Sequence, residues 1–214
     1  MTISETIQLY LDEKKEIIEA FPVAEVEAAT YMLFETYDRG GTVYAMANGG
    51  NAGTMDHLYC DFKHHPFVTE DKTTQLPKGT KRLNFVNICS SPAELTGLVN
   101  DLGVENMFAG ALAPFVTSED LVMAYSGSGN SENVVRALEV ANEAGAKTFA
   151  MTKGTGGKCK DLAKVCLVVP GTSRFPGQTG KNDNNFHIED FQNSISHIVV
   201  GLLKEHVNLS LDKN

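Results

Sequence analysis

Five short runs of β-branched, aromatic and other apolar residues, at 42–47, 83–89, 121–125, 147–152 and 165–169, alternate with stretches whose apolar residues recur at helical spacing. That alternation builds a parallel sheet, because each return to the same end of the sheet needs a crossover long enough to hold a helix. The predicted fold is α/β, a three-layer α/β/α sandwich around a central parallel sheet. Intervening helices are predicted at 51–63, 92–102, 104–111 and 132–144, with a short one at 157–163. Two helices open the chain, at 3–20 and 23–37, divided at Pro22 and ended by Gly40-Gly41. A long helix over 184–207 closes it, and Leu211 to Asn214 reads as a frayed tail. A length of 214 residues suits a single domain, with a helical extension at 3–40, an α/β core at 42–170 and the C-terminal helix. The polar segments 66–82 and 170–183 read as lids or as plain surface connections.

Charge and cysteine usage exclude several functions. A net charge of −9 argues against binding nucleic acid, whose affinity comes largely from basic residues. No apolar run approaches the roughly 18 residues of a membrane span, and the polar, acidic start at 1–13 is unlike a secretion signal. A cytoplasmic protein is expected. Cys60, Cys89, Cys159 and Cys166 lack Cys-x-x-Cys spacing, so they read as reduced thiols rather than a disulfide framework or a cysteine zinc site.

In folds of this class ligands gather beyond the C-terminal ends of the strands. Two glycine-rich turns fall there. The run 121–125 passes through Ser126-Gly127-Ser128-Gly129-Asn130-Ser131 straight into a predicted helix. Free N–H groups at a helix start, the positive end of its dipole and the hydroxyls of Ser126, Ser128 and Ser131 suit a phosphate, and Gly127 and Gly129 let the backbone come close. The plainer alternative is a helix cap at Asn130 or Ser131, but a cap needs only one such residue. The second turn, Asn48-Gly49-Gly50-Asn51, follows the first strand and leads into a helix carrying His57 and Asp61. Four residues apart, these two share a helix face, where they either ligate a divalent cation, transfer protons, or form a solvated hydrogen bond.

On the last helix Phe186, Phe191, Ile195, Ile198, Val199 and Leu202 predict heavy burial, interrupted by a polar stripe of Glu189, Gln192, Ser196 and His197. Glu189 and His197 lie eight residues apart, roughly 12 Å along the axis, so one helix brings both to one ion only with difficulty. If both are ligands, two copies of the helix meet at a subunit interface; the alternative is a hydrogen-bond network between helices.

Taken in order and spacing, Asn48-Gly49-Gly50-Asn51, His57, Asp61, the 126–131 turn, Glu189 and His197 resemble the sugar isomerase (SIS) domain family, and within it the phosphoheptose isomerases. The resemblance runs from the opening helices to about Val207. It implies a flavodoxin-like SIS domain, a homotetramer, and interconversion of sedoheptulose 7-phosphate with D-glycero-D-manno-heptose 7-phosphate. It implies substrate binding by Asn48, Gly49, Gly50, Asn51, Ser126, Gly127, Ser128 and Ser131, with Asp101 counted in the same set. It further implies that His57, Asp61, Glu189 and His197 hold a divalent metal, zinc, with Asp61 as general base and His197 as proton donor. Asp61 stands where the family usually has Glu, and Glu189 where it usually has Gln; both still ligate through oxygen. Asn51 replaces a frequent Ser, and Ser90-Ser91-Pro92 lacks an Asp usually found nearby. The alternatives are a non-catalytic SIS adaptor resembling initiator-associating proteins, a sugar-phosphate sensor, or an isomerase for another sugar phosphate.

Overall fold

A computed structural model describes residues 1–211. Helices α1 (Ile3–Glu19) and α2 (Val23–Arg39) lead into β1 (Thr42–Ala47), α3 (Gly50–His64), β2 (Asn84–Asn87), α4 (Pro92–Leu102) and α5 (Met107–Leu112). Then follow β3 (Leu121–Tyr125), α6 (Glu132–Glu143), β4 (Lys147–Lys153), α7 (Gly157–Leu162), β5 (Val165–Val169) and α8 (Asn185–Leu211). The five strands are all parallel in the order β2-β1-β3-β4-β5. Because the strand order reverses between β1 and β3, the connections leaving these two strands diverge to opposite faces and open a crevice at their C-terminal ends.

Side chains on successive strand residues point to opposite faces, and this alternation divides the core in two. Leu121, Met123 and Tyr125 pack with α2, α3 and α8, whereas Val122 and Ala124 pack with α5 and α6. Helix α1 starts at a reciprocal cap: Thr2 Oγ1 accepts from Glu5 N and Thr2 N donates to the Glu5 carboxylate at 2.6 Å. Gly40 ends α2 in the left-handed region at φ 80°.

Three boundaries depart from the expectation. The strand predicted at 83–89 closes at Asn87, whose side chain accepts from Cys89 N (2.9 Å) and donates to Asp56 (2.7 Å), curling the chain out of the ladder. The helix predicted at 104–111 is a 3₁₀ turn, Val104–Asn106, followed by α5. Helix α8 continues to Leu211, and the rest of the expected tail, 212–214, lies outside the described residues. On α8, Phe191, Ile195 and Val199 are buried as expected, but Phe186, Ile198 and Leu202 face outward. No helix among the described residues is long and apolar enough to cross a membrane.

The segment 170–183 is strapped down. Glu13 on α1, only 3 % exposed, accepts from Ser173 Oγ (2.8 Å), Arg174 N (2.6 Å) and His187 Nε2 (3.1 Å). Gln178 Oε1 accepts from Phe186 N at 2.6 Å, and Asn184 Nδ2 donates to Pro170 O at 3.0 Å. Burial pushes the Glu13 carboxyl up, but its bonds from Arg174, Ser173 and His187 outweigh this and hold it below the usual glutamate value. A depressed carboxyl supplies stability that is complete above its unfolded pKa and is lost as pH falls through the folded value. Glu13→Ala strands these donors inside the protein, with an expected cost of about 3 kcal/mol. In thermal melts near pH 7 the variant unfolds roughly 10 °C below the parent. The gap narrows as pH falls from the usual glutamate value through the lower folded value, where the parent loses the same charge; an unchanged gap there contradicts the assignment.

Candidate active site

The two glycine-rich turns meet at the β1–β3 crevice, where a reciprocal amide pair joins them. Asn48 Nδ2 donates to Asn133 Oδ1 (2.9 Å) and Asn133 Nδ2 donates to Asn48 Oδ1 (3.0 Å). Asn133, buried on the first turn of α6, escaped the sequence reading because an Asn beside a helix start reads as a capping residue. Gly49, at φ 58° and ψ −131°, begins α3 in a conformation that favours glycine.

Along α3, His57 and Asp61 stand one turn apart with Nε2 and Oδ2 at 3.1 Å. Helix α8 packs against α3 and brings His197 Nε2 to 3.0 Å from His57 Nε2 and 3.5 Å from Asp61 Oδ2. One carboxylate oxygen therefore faces both imidazoles. The ligand-capable atoms of these three residues all lie within 4.8 Å of one another. Two neutral imidazoles and a carboxylate make a donor set suited to a divalent transition ion with further positions open to water or substrate. His57 and His197 are about half exposed and Asp61 a quarter, so the cluster opens outward rather than into the core.

Glu189 does not join this group. Eight residues on from it, His197 lies about 80° around the helix as well as two turns further along, so the four polar positions of α8 do not form one stripe. Instead the Glu189 carboxylate covers the start of α3: a Cβ built on Gly50 falls 2.8 Å from Oε1. Burial, reinforced by the neighbouring Asp190 charge, raises its pKa above the usual glutamate value. Gln192 and Ser196 point inward. Gln192 Nε2 donates to Asn51 Oδ1, so Asn51 is already engaged within the protein. The fully buried Gln192 Oε1 has no partner among the described residues. Asp101 is also apart from the other candidates within this chain. It lies exposed in the last turn of α4, the end away from the β2–α4 connection, and accepts from Asn100.

In the serine-rich turn, Ser131 holds the N-cap position of α6 without a capping bond from its side chain, so the plain capping alternative fails for this residue. Ser126 Oγ donates to Ser131 Oγ at 3.4 Å, and Ser128 Oγ accepts from Asn130 N at 3.2 Å. Gly129 does not open the backbone to a ligand as expected. It packs on the β4–α7 connection, where an added Cβ would lie 1.9 Å from Gly156 O.

No family model matches the chain. It is 29 % identical over 196 residues to a phosphoheptose isomerase of Chlorobaculum parvum, covering 92 % of this chain and 85 % of that protein. It superposes on a phosphoheptose isomerase structure from Neisseria gonorrhoeae with a TM-score of 0.77 at 21 % identity, over 95 % of this chain and all of that one. The sugar isomerase domain of an RpiR transcription factor from Sphaerobacter thermophilus superposes with a TM-score of 0.57 at 15 % identity, over 97 % and 96 %. The chain has the fold of these SIS-domain structures and is similar in sequence to phosphoheptose isomerases. Apart from Asp101, the candidate residues gather at two places: the paired turns at the C-terminal ends of β1 and β3, and the His57–Asp61–His197 cluster between α3 and α8.

Proposed function

We propose that this SIS protein is a phosphosugar isomerase that interconverts a ketose phosphate and an aldose phosphate through an enediol. Sedoheptulose 7-phosphate is the ketose and D-glycero-D-manno-heptose 7-phosphate the aldose. The observation that carries this reading is the convergence of His57, Asp61 and His197 in a chain whose relatives are phosphoheptose isomerases. The serine-rich turn and the start of α6 hold the phosphate and thereby fix the reacting carbons. Asp61 takes the proton from the carbon beside the carbonyl, and His197 gives one to the carbonyl oxygen, leaving an enediol; Asp61 then returns its proton to the former carbonyl carbon while His197 takes back the proton of the other enediol hydroxyl, so that the new carbonyl forms and both groups are restored. Contact of both imidazoles with Asp61 Oδ2 orients the carboxylate for this work. A divalent cation held by His57, Asp61 and His197, zinc in our reading, supplies Lewis-acid stabilisation of the developing oxyanion.

The active unit in this reading is a homo-oligomer, a tetramer, with its sites at subunit interfaces, in the cytoplasm. Two features support the interface. The cluster is open to solvent. Ile3, Ile7, Leu11 and Ile18 form an exposed apolar stripe on α1, while Ile198 and Leu202 extend exposed apolar surface along α8. Glu189 and Asp101, too far from the cluster within one chain, reach a shared site from a neighbouring copy.

The test is conversion of sedoheptulose 7-phosphate, followed by the appearance of the aldose phosphate, against hexulose and pentulose phosphates in parallel. Preferred turnover of the heptulose phosphate supports the reading, and preferred turnover of a shorter sugar replaces its substrate. Tight sugar-phosphate binding with no turnover of any of them moves the protein to the sensor class.

A further inference from the structure

Beside the serine-rich turn lies a cavity of about 210 Å³ between the end of β4 and the segment leading into α8, lined in part by Ser128, Lys153, Thr155 and Asp183. Its polar lining is dominated by donors. Lys153 Nζ donates to the carbonyl oxygens of Lys181 and Asp183, which leaves one of its three N–H groups for a ligand. The Ser128 and Thr155 hydroxyl oxygens accept from Asn130 N and Gly157 N, and their own protons have no acceptor among the described residues. The backbone N–H groups of Gly127, Ser128, Gly154 and Thr155 likewise meet no acceptor there. Asp183 engages Ser173 N through Oδ1 (2.6 Å), and the Asn184 side chain donates to Pro170 O. Gly127 keeps the wall thin: a Cβ at that position would come within 3.5 Å of Lys153 Cε and 3.1 Å of Asn185 Oδ1. Burial lowers the Lys153 pKa against the opposing effect of Asp183, as expected of a partly desolvated ammonium that lacks a close anionic partner.

We propose that this cavity is the seat of the phosphate and that Lys153 is its cation, a binding residue beyond the serine hydroxyls. The inference rests on the reading of 126–131 as a phosphate turn and adds the charge that a turn of serines and glycines lacks. The substrate's phosphate would then bridge the turn and the 180–184 segment, joining the substrate to the strapped loop.

The experiment is calorimetric titration of the whole protein with inorganic phosphate, comparing the parent with Lys153→Met, Lys153→Gln and Lys153→Arg, each first shown by thermal melting to be folded. The expected result is a dissociation constant at least tenfold weaker in both neutral variants and within about threefold of the parent in Lys153→Arg. Gln keeps a donor for the loop carbonyls but no charge, so parent-like affinity in Lys153→Gln overturns the proposal even if Lys153→Met weakens. Parent-like affinity in Lys153→Met overturns it while leaving the phosphate turn standing. Failure of the parent itself to bind phosphate overturns both readings.

Discussion

Replacing Asp61 with Asn lowers kcat for ketose–aldose interconversion by about 10³-fold, the scale of a lost general base. The substitution keeps the size of the side chain, and an amide oxygen can still face His57 Nε2 and His197 Nε2, which lie 3.1 and 3.5 Å from the present Oδ2. The amide cannot take up a proton from carbon at neutral pH, and it is a poorer ligand for a divalent cation than a carboxylate. In the proposed function phosphate is held at the serine-rich turn, away from this cluster, so affinity for inorganic phosphate is expected to stay within about threefold of the parent, with loss of turnover and retention of binding measured on the same preparation. A kcat within a few-fold of the parent would remove Asp61 from the role of base. Equal loss of turnover and phosphate binding would mean that the cluster and the turn are not separate parts of one site.

Gly129→Ala is expected to be the most damaging single-methyl change in the serine-rich turn. Gly129 has φ 65°, and its amide and carbonyl hold the turn to Ser126 O (3.0 Å) and Cys159 N (2.9 Å). A methyl there meets Gly156 O at 1.9 Å and Gly156 C at 2.6 Å, both backbone atoms that cannot rotate away. Left-handed strain of about 1–2 kcal/mol adds to the clash, giving a destabilisation of about 3 kcal/mol or more. The melting temperature should fall by roughly 10 °C, with loss of phosphate affinity as the turn lifts from the β4–α7 connection. Gly53→Ala is the control: nothing lies within 4 Å of its Cβ position, and it sits inside α3, where Ala is the better helix former. Its melting temperature should match or exceed the parent's. Equal effects of the two substitutions would contradict the packing described for Gly129.

The strands were legible because a fully buried parallel strand carries its signal in every residue. The runs 42–47, 121–125 and 165–169 coincide with β1, β3 and β5. Where side chains redirect the backbone, the reading slipped: Asn87 ends β2 by bonding to Cys89 N, a choice invisible in an apolar pattern. The i, i+4 spacing placed His57 beside Asp61, since a helix fixes that geometry locally. Meeting His197 depends on how α8 crosses α3, and no local pattern encodes that. The same limit hid the place of Glu189 within one chain, where tertiary packing sets it over Gly50. It also concealed the Glu13 strap, because a lone Glu on an amphipathic helix reads as a solvated residue until Ser173 and His187 close over it. Lys153, last residue of β4, was passed over because an isolated lysine at a strand end reads as solvent-facing.

In the proposed function His57, Asp61 and His197 form a metal-assisted isomerase centre. Its most direct test is elemental analysis of protein purified without chelators, combined with sedoheptulose 7-phosphate conversion before and after metal removal. The expected result is about one divalent ion per chain, conversion that falls at least 100-fold on removal, and recovery when the ion is returned. Full conversion by metal-free protein, or a bound metal that survives substitution of both His57 and His197 by Ala, would contradict it.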